Sequence, residues 1–210
     1  MNIITISREF GSGGRELGKR LAEILNYDYY DREIITEIAK RHNVDEDYVE
    51  HALNNHVWQT YTLSFHHSFM SPMYINAPDV NLLREQRLVI EEIAEQKKNC
   101  IIVGRNADVL LQGKNPLNLF ICADMDAKIK RCQERATGDE KNFTYKQFKK
   151  MIKRIDKNRA RTRYLIADGE WGNRNSYHLI INTPGWDIEL LAEALAEFVK
   201  RWFKEQEANK

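Results

Sequence analysis

Near its amino terminus the chain reads Ile3-Ile4-Thr5-Ile6-Ser7-Arg8-Glu9-Phe10-Gly11-Ser12-Gly13-Gly14-Arg15-Glu16-Leu17. The apolar and β-branched residues at its start predict a buried strand, and the glycines that follow predict a tight turn that opens a helix. Glycine lets the backbone bend around an anion, and the first turn of a helix directs N–H groups and the positive end of its dipole to the same place. The sequence here therefore predicts a phosphate-binding loop and nucleotide chemistry, with a glycine-rich turn that holds no ligand as the alternative.

This loop departs from the usual phosphate-binding pattern G-x-x-x-x-G-K-[ST] at the first glycine and at the lysine. Arg8 stands at the first glycine, and Gly14 stands at the lysine. The nearest cation is Arg15, whose guanidinium could reach the β- and γ-phosphates of a nucleotide in place of lysine. Glu16 could contribute to metal binding, directly or through water.

Charge and cysteine content exclude several classes of partner. The 210 residues include 32 basic and 31 acidic ones, so a formal charge of +1 provides no field that favours a nucleic acid polymer or an anionic membrane. No apolar run is long enough to cross a bilayer, and no signal peptide precedes the first strand. The three cysteines show no C-x-x-C spacing, which argues against disulfides and a zinc site. We expect a cytoplasmic protein with a small-molecule partner.

The alternation of strand and helix patterns predicts the fold class. Short apolar runs at 26–31, 100–103, 117–123 and 177–183 predict strands, and helical periodicity covers 17–25, 32–42, 81–98, about 126–163 and the segment after 187. Strands that alternate with helices imply an α/β protein with a parallel sheet covered on both faces. The segment 43–79 suits neither period, and we interpret it as part of a helical insertion.

Polar residues follow the predicted strands, at the edge where an open α/β sheet binds ligands. Asp31 ends the second predicted strand, and Arg105 follows Gly104 at the end of the third. A guanidinium can hold a phosphate through two parallel hydrogen bonds, so Arg105 is a candidate phosphate ligand. The alternative for Arg105 is a salt bridge to Asp108 or Glu33.

A basic segment, 153–163, precedes a glycine-containing stretch, 168–172. Arginines that a lid brings to a transferring phosphoryl group stabilise its charge, and we interpret this region as a closing lid. A solvated basic helix face is the alternative. Asp156 stands among these cations, where it could orient Arg159 or accept a hydrogen bond from a sugar hydroxyl.

Taken together, several blocks resemble the cytidylate-kinase-like family of P-loop nucleotide kinases. They are Ser7 to Glu16, Tyr30-Asp31-Arg32-Glu33, Val103 to Asp108, Asp156-Lys157-Asn158-Arg159-Ala160 and Trp171-Gly172. The likeness spans nearly the whole chain. True cytidylate kinases carry lysine where this chain has Gly14 and a metal-binding hydroxyl where it has Glu16.

The resemblance implies one domain, 1–210, with a three-layer P-loop NTPase-like core (1–31 and 99–210), an acceptor-binding helical insertion (about 32–98) and an Arg-rich lid (about 154–172). It implies ATP and Mg²⁺ at the glycine loop and phosphoryl transfer to CMP or another small nucleotide-like acceptor. A catalytically silent nucleotide-binding regulator and an anion-binding structural protein stay open as alternatives.

The residues implied by the resemblance and by the loop fall into four groups. The catalytic candidates are Arg15, Asp156 and Arg159; the ATP-binding candidates are Gly11, Ser12, Gly13, Gly14, Arg15 and Glu16; the acceptor-binding candidates are Asp31, Arg105, Asp156 and Arg159; the metal candidate is Glu16. Large apolar side chains between Trp58 and Tyr74 could in addition form a subunit interface in a homodimer.

Overall fold

The computed structural model describes residues 1–55, 77–167 and 169–208. Its centre is a five-stranded sheet in the order β2-β3-β1-β4-β5, in which every neighbouring pair is parallel. The strands are β1 (Ile3–Arg8), β2 (Asp28–Tyr30), β3 (Cys100–Val103), β4 (Leu117–Cys122) and β5 (Leu179–Asn182). Helices flank the sheet, and the predicted parallel α/β fold is confirmed.

The helices follow the strands in chain order. They are α1 (Gly14–Leu25), α2 (Glu33–His42), α3 (Glu46–Asn55), α4 (Ala77–Glu95), α5 (Ala107–Leu110), α6 (Met125–Glu134), α7 (Tyr145–Ile166) and α8 (Ile188–Ala208). Short 3-10 turns span Gln112–Lys114, Gly138–Asn142 and Arg174–Ser176. Among the described residues, no helix is both long and apolar enough to cross a membrane.

Contacts between residues divide the chain into two units. One comprises Met1–Asp31 and Ala94–Lys210, and the other comprises Arg32–Ile93. In the second unit α2 contacts α3, and Arg41 of α2 forms ion pairs with Glu37 and with Glu92 of α4. The predicted bounds of the insertion and of the lid stay predictions. The segment proposed as a dimer interface, 58–74, lies outside the described residues.

The central strands β1, β3 and β4 are largely buried, as strands of a parallel sheet covered on both faces must be. One buried cluster joins Ile4 and Ile6 of β1 to Leu17 and Leu21 of α1, and α8 packs on it through residues such as Leu195. A second cluster lies between α6 and α7 and consists of Ile129, Phe148 and Ile152, with Phe10 packed against it. Phe10, which precedes the glycine turn, thus packs against residues of α6 and α7.

Two stretches that the sequence assigned to helical regions form defined helices. Residues 46–55 form α3, although the pattern there suits no period. Asp45 accepts a hydrogen bond from the N–H of Asp47 at 2.7 Å, and it thereby stabilises the start of that helix. The basic segment 153–163 lies within α7, a single helix of 22 residues.

Candidate functional site

The glycine loop joins β1 to α1 at the carboxyl edge of the sheet. Gly11 and Gly13 adopt φ of 78° and 86°, a left-handed conformation that other residues rarely adopt. Ser12 is fully buried, and its hydroxyl donates to the carbonyl of Glu9 at 2.8 Å. Among the described residues, the N–H groups of Gly11, Gly13 and Gly14 donate no hydrogen bond. The loop therefore offers donors for an anion at the start of a helix.

Close packing also requires glycine in this loop. A Cβ at Gly11 would lie 2.9 Å from the carbonyl oxygen of Lys128 in α6, and a Cβ at Gly13 would lie 2.9 Å from Cδ1 of Ile188 in α8. Two helices thus hold the loop from different sides.

Arg8 crosses the carboxyl edge of the sheet between Gly14 and Gly104. Its Nη1 would lie 1.6 Å from a Cβ at Gly104, and its own Cβ would lie 2.7 Å from a Cβ at Gly14. Its Nη2 donates to Oδ1 of Asp31 at 3.3 Å. Burial lowers the pKa of Arg8, against the raising effect of Asp31.

Asp31, a predicted acceptor-binding residue, is buried beside two arginines. One oxygen pairs with Arg8, and the other accepts from Nε of Arg15. The side chain of Arg15 is 64% exposed, so this contact leaves most of its guanidinium at the surface. Arg15 and Asp31 are thus in contact, although the sequence assigned Arg15 to ATP binding and Asp31 to acceptor binding.

Glu16, the predicted metal ligand, is held by two cations. Oε1 accepts from Nε of Arg20 at 3.2 Å, and Oε2 pairs with Arg135 at the end of α6. Within the described residues, no group of three His, Cys, Asp or Glu side chains could hold a metal ion. A metal at Glu16 would therefore have to compete with Arg20 and Arg135.

Asp156 connects α7 to the loop. Its Oδ1 accepts from the N–H of Phe10 at 2.7 Å, and its Oδ2 lies 3.2 Å from Nζ of Lys128. Lys128 is 5% exposed and also donates to Glu9 at 3.1 Å. Burial raises the pKa of Asp156, while the Phe10 N–H and Lys128 lower it. Asp156 therefore binds the loop backbone and orients a buried lysine.

Arg159 lies one helical turn further along α7. Its Nη1 donates to the carbonyl oxygen of Arg8 at 2.9 Å, and its guanidinium lies over the ring of Phe10. Burial lowers its pKa, and the neighbouring charges of Arg8 and Arg105 lower it further. The predicted catalytic residue Arg159 is thus in place at the loop, 3.7 Å from Asp156.

Arg105 follows β3 in an unusual backbone turn. Gly104, Arg105 and Asn106 have φ of 75°, 56° and 55°, three left-handed residues in succession. Such a conformation costs energy in residues with side chains, and it fixes where Arg105 leaves the sheet. Asp108, one of the two acids proposed to pair with Arg105, forms a buried ion pair with Arg163 of α7. Arg163, predicted as part of a cationic lid, is therefore a core residue.

Two residues of α6 that contact the loop were missed at the sequence level. Lys128 is the buried cation described above, and Nη1 of Arg131 donates to the carbonyl of Ser12 at 3.2 Å and to the hydroxyl of Thr183 at 2.9 Å. Thr183 itself donates to Ser12 at 2.7 Å. No motif marked these α6 cations, since the helix is rich in charge. The only signal was the position of Thr183 at the end of the last predicted strand.

Known structures of similar fold include enzymes that phosphorylate small molecules. A protein from Eubacterium ventriosum described as uncharacterized shares 26% identity at a TM-score of 0.69, covering 95% of this chain and 99% of its own. The shikimate kinase of Bacteroides thetaiotaomicron shares 16% identity at a TM-score of 0.58 and covers 95% and 98%. That of Acinetobacter baumannii, in complex with shikimate, shares 14% at 0.56 and covers 96% and 94%. These two kinases establish the fold alone.

No curated protein sequence matches the chain. Residues 3–184, which include the glycine loop, the Gly104-Arg105 turn and α7, match the family described as the Cytidylate kinase-like family. Because this match covers far more than half of the sequence, the chain belongs to the cytidylate kinase-like family.

Proposed function

We propose that this protein transfers the γ-phosphoryl group of ATP to CMP or another small nucleotide-like acceptor. The observation that carries the proposal is the set of N–H groups at Gly11, Gly13 and Gly14, which donate no hydrogen bond among the described residues and stand beside a group of arginines. Phosphate oxygens fit such donors, and the dipole of α1 adds favourable potential. Gly11 to Glu16 would hold the phosphates of ATP.

The acceptor site would lie at the ends of β2 and β3. The guanidinium group of Arg159 is close enough to Arg8 and Arg105 to be repelled by their charges, and Asp31 and Asp156 are its acidic neighbours. An anionic group would relieve that repulsion, and paired N–H donors suit a phosphate. In this proposal Arg105 and Arg159 bind the acceptor or the transferring phosphoryl group, and Asp31 borders the acceptor.

The protein's contribution to the reaction would be positioning and charge stabilisation. Phosphoryl transfer spreads negative charge over the equatorial oxygens of the transferring group, and no covalent intermediate with the protein is needed. Arg15 and Arg159 would stabilise this charge, while Asp156 would hold Arg159 and the loop in position. ATP supplies the phosphoryl group.

The acidic side chains around the loop do not fit a direct metal contact. Glu16, Asp31 and Asp156 each accept from a cation, and the same is true of Glu9. Mg²⁺ commonly keeps several waters and binds through substrate phosphates. Glu16 stays a proposed ligand only if it exchanges Arg135 for the metal, and no step above depends on it.

One alternative has specific support: a catalytically silent nucleotide-binding regulator of the same fold. Gly14 stands where true cytidylate kinases carry lysine, so a cation that usually accompanies the transferring phosphoryl group is absent from that position. Such a protein would bind ATP without forming ADP.

The test is ADP formation from ATP and Mg²⁺ across a panel of nucleoside monophosphates, with shikimate added because two fold neighbours are shikimate kinases. We expect one acceptor to support turnover and Arg105→Ala to reduce kcat/KM by roughly tenfold or more, since a charge-assisted phosphate contact is lost. Arg201→Ala, which removes an exposed charge from α8, is the matched control. ATP binding without ADP formation for any acceptor would favour the silent regulator.

A further inference from the structure

The loop departs from the usual pattern at the first glycine and at the lysine, and these two departures are reciprocal. The pattern G-x-x-x-x-G-K has glycine first and a cation last. This chain has a cation at the first of these positions, Arg8, and glycine at the last, Gly14. The contacts between Arg8 and Gly14 show whether one residue depends on the other.

The space around Gly14 shows that glycine at this position depends on Arg8. A Cβ built on Gly14 would lie 2.7 Å from Cβ of Arg8, 3.2 Å from its Cγ and 3.1 Å from Cβ of Ile121. These atoms are close to the backbones of β1 and β4, so they cannot move aside as the end of a flexible side chain can. With Arg8 in place, position 14 therefore accommodates glycine alone without a shift of the sheet or the helix.

Backbone conformation does not explain this glycine. Gly14 is the first residue of α1 and is not among the residues with positive φ, unlike Gly11 and Gly13. In a helix, glycine is less favourable than alanine or lysine. The contact with Arg8 is thus the physical reason for glycine at this position.

The guanidinium of Arg8 lies where a phosphate-binding cation is needed. It extends from the end of β1 over Gly104, next to the Arg105 turn, and its side chain is 15% exposed. Within the described part of the chain, Nη2 of Arg8 donates a hydrogen bond to Oδ1 of Asp31. Since a guanidinium carries five N–H donors, it can bind Asp31 and an anion together.

The charges around Arg8 favour an anion. Burial lowers the pKa of Arg8 and of Arg159; the charge of Arg15 lowers the first further and that of Arg8 the second, while Asp31 and Asp156 raise both. A phosphate bound among these side chains would replace repulsion with attraction.

We propose that Arg8 is the phosphate-binding cation of this loop, through an exchange of glycine and cation between positions 8 and 14. The inference rests on the proposed function for the identity of the ligand, a nucleoside polyphosphate, but its chemistry concerns any polyphosphate. Lysine is then not missing from the loop, because its role has moved to the end of β1.

A double-mutant cycle tests the exchange without any ligand. In the Arg8 background, Gly14→Ala should lower the melting temperature by about 4 °C or more, because the new Cβ meets Arg8. In the Arg8→Gly background, the same substitution should cost distinctly less, because only the 3.1 Å approach to Cβ of Ile121 remains and alanine favours a helix. An equal loss in both backgrounds would contradict the coupling.

The second test measures binding by calorimetry and uses inorganic tripolyphosphate as the probe. Arg8→Gly should weaken binding by roughly tenfold or more, and Arg8→Gly with Gly14→Lys should recover most of the loss. Arg201→Ala is the charge-matched control. A folded Arg8→Gly variant that binds the probe as tightly as the wild type, a wild type that does not bind it, or a folded double variant without recovery would overturn the proposal.

These results separate this inference from the proposed function. Loss of tripolyphosphate binding in Arg8→Gly supports the role of Arg8 even if no acceptor supports ADP formation. Conversely, ADP formation that Arg8→Gly leaves unchanged would support a kinase in which Arg8 has no role.

Discussion

The main-chain N–H of Phe10 donates to the carboxylate of Asp156 at 2.7 Å, so a residue of the glycine loop is bound to a helix 146 positions further along the chain. The other oxygen of the same carboxylate contacts Lys128 on α6. One side chain thus fixes the loop relative to both helices that pack beneath it. Asp156 was predicted as a residue that binds substrate, and its position assigns it a contact with the loop backbone as well.

Replacement of Asp156 should therefore destabilise the protein. In Asp156→Ala the part-buried Phe10 N–H loses its acceptor and the buried Lys128 loses one of two partners, which should cost about 2–4 kcal/mol in the free energy of unfolding. Asp156→Asn keeps an oxygen that can accept from Phe10, and it should lose less. Urea unfolding of the two variants measures the difference. Equal losses would show that the carboxylate's charge, and not the hydrogen bond to the loop, determines its contribution.

The same carboxylate should affect the pH dependence of stability. Burial raises the pKa of Asp156 above its ordinary value of 3.8, so the folded protein binds this proton more tightly than the unfolded chain does. The contribution of Asp156 to stability is therefore greatest below pH 3.8 and declines as the pH rises through the folded-state pKa. Relative to Asp156→Asn, the wild type should be more stable at about pH 4 than at about pH 7. A wild-type advantage that grows with pH would contradict this.

Alanine substitutions at Gly11, in the glycine loop, and at Gly113, outside it, test how closely the loop is packed. Alanine at Gly11 would meet the carbonyl of Lys128 at 2.9 Å and would also be strained at φ 78°, whereas alanine at Gly113 meets nothing within 4 Å. Gly11→Ala should cost about 1–3 kcal/mol, and Gly113→Ala should be close to neutral. Thermal melts compare the two. A neutral Gly11→Ala would mean that α6 does not hold the loop as closely as described.

Arg15 should contribute to nucleotide binding from the surface side of the loop. Its Nε contacts the buried carboxylate of Asp31, and its side chain is 64% exposed. Arg15→Ala should weaken ATP binding by about tenfold, or 1.4 kcal/mol, because one charge-assisted phosphate contact is lost. Calorimetry measures this directly. Unchanged affinity would exclude Arg15 from the phosphate site.

The sequence predicted the features that depend on local pattern. Apolar runs located β1, β3 and β4, and the glycines after Arg8 located the loop, because a buried parallel strand and a strand-to-helix turn each have a distinctive composition. Helix α3 lies in the segment that the sequence assigned to a helical insertion, but its bounds could not be predicted, because its buried residues, Val49, Ala52 and Leu53, form too short a repeat.

Features that depend on packing between distant segments could not be predicted. Lys128 is buried and Lys130 is exposed on the same helix, and nothing in the local sequence distinguishes them. Arg159 lies at the loop, whereas Arg163 pairs with Asp108 in the core, although both belong to one basic run. The role of Gly14 was hidden for the same reason, since its neighbour Arg8 is identified only when β1 and α1 are packed together.

The proposed transfer of a phosphoryl group from ATP to a small acceptor is tested most directly by tracing a labelled γ-phosphoryl group. ATP labelled at the γ-phosphoryl is incubated with Mg²⁺, the wild-type protein and each acceptor of the panel, and the products are separated. We expect the label to appear in one acceptor, and we expect Arg105→Ala to reduce the yield of labelled acceptor roughly tenfold or more. Label that stays in ATP, or appears only as inorganic phosphate, would contradict it.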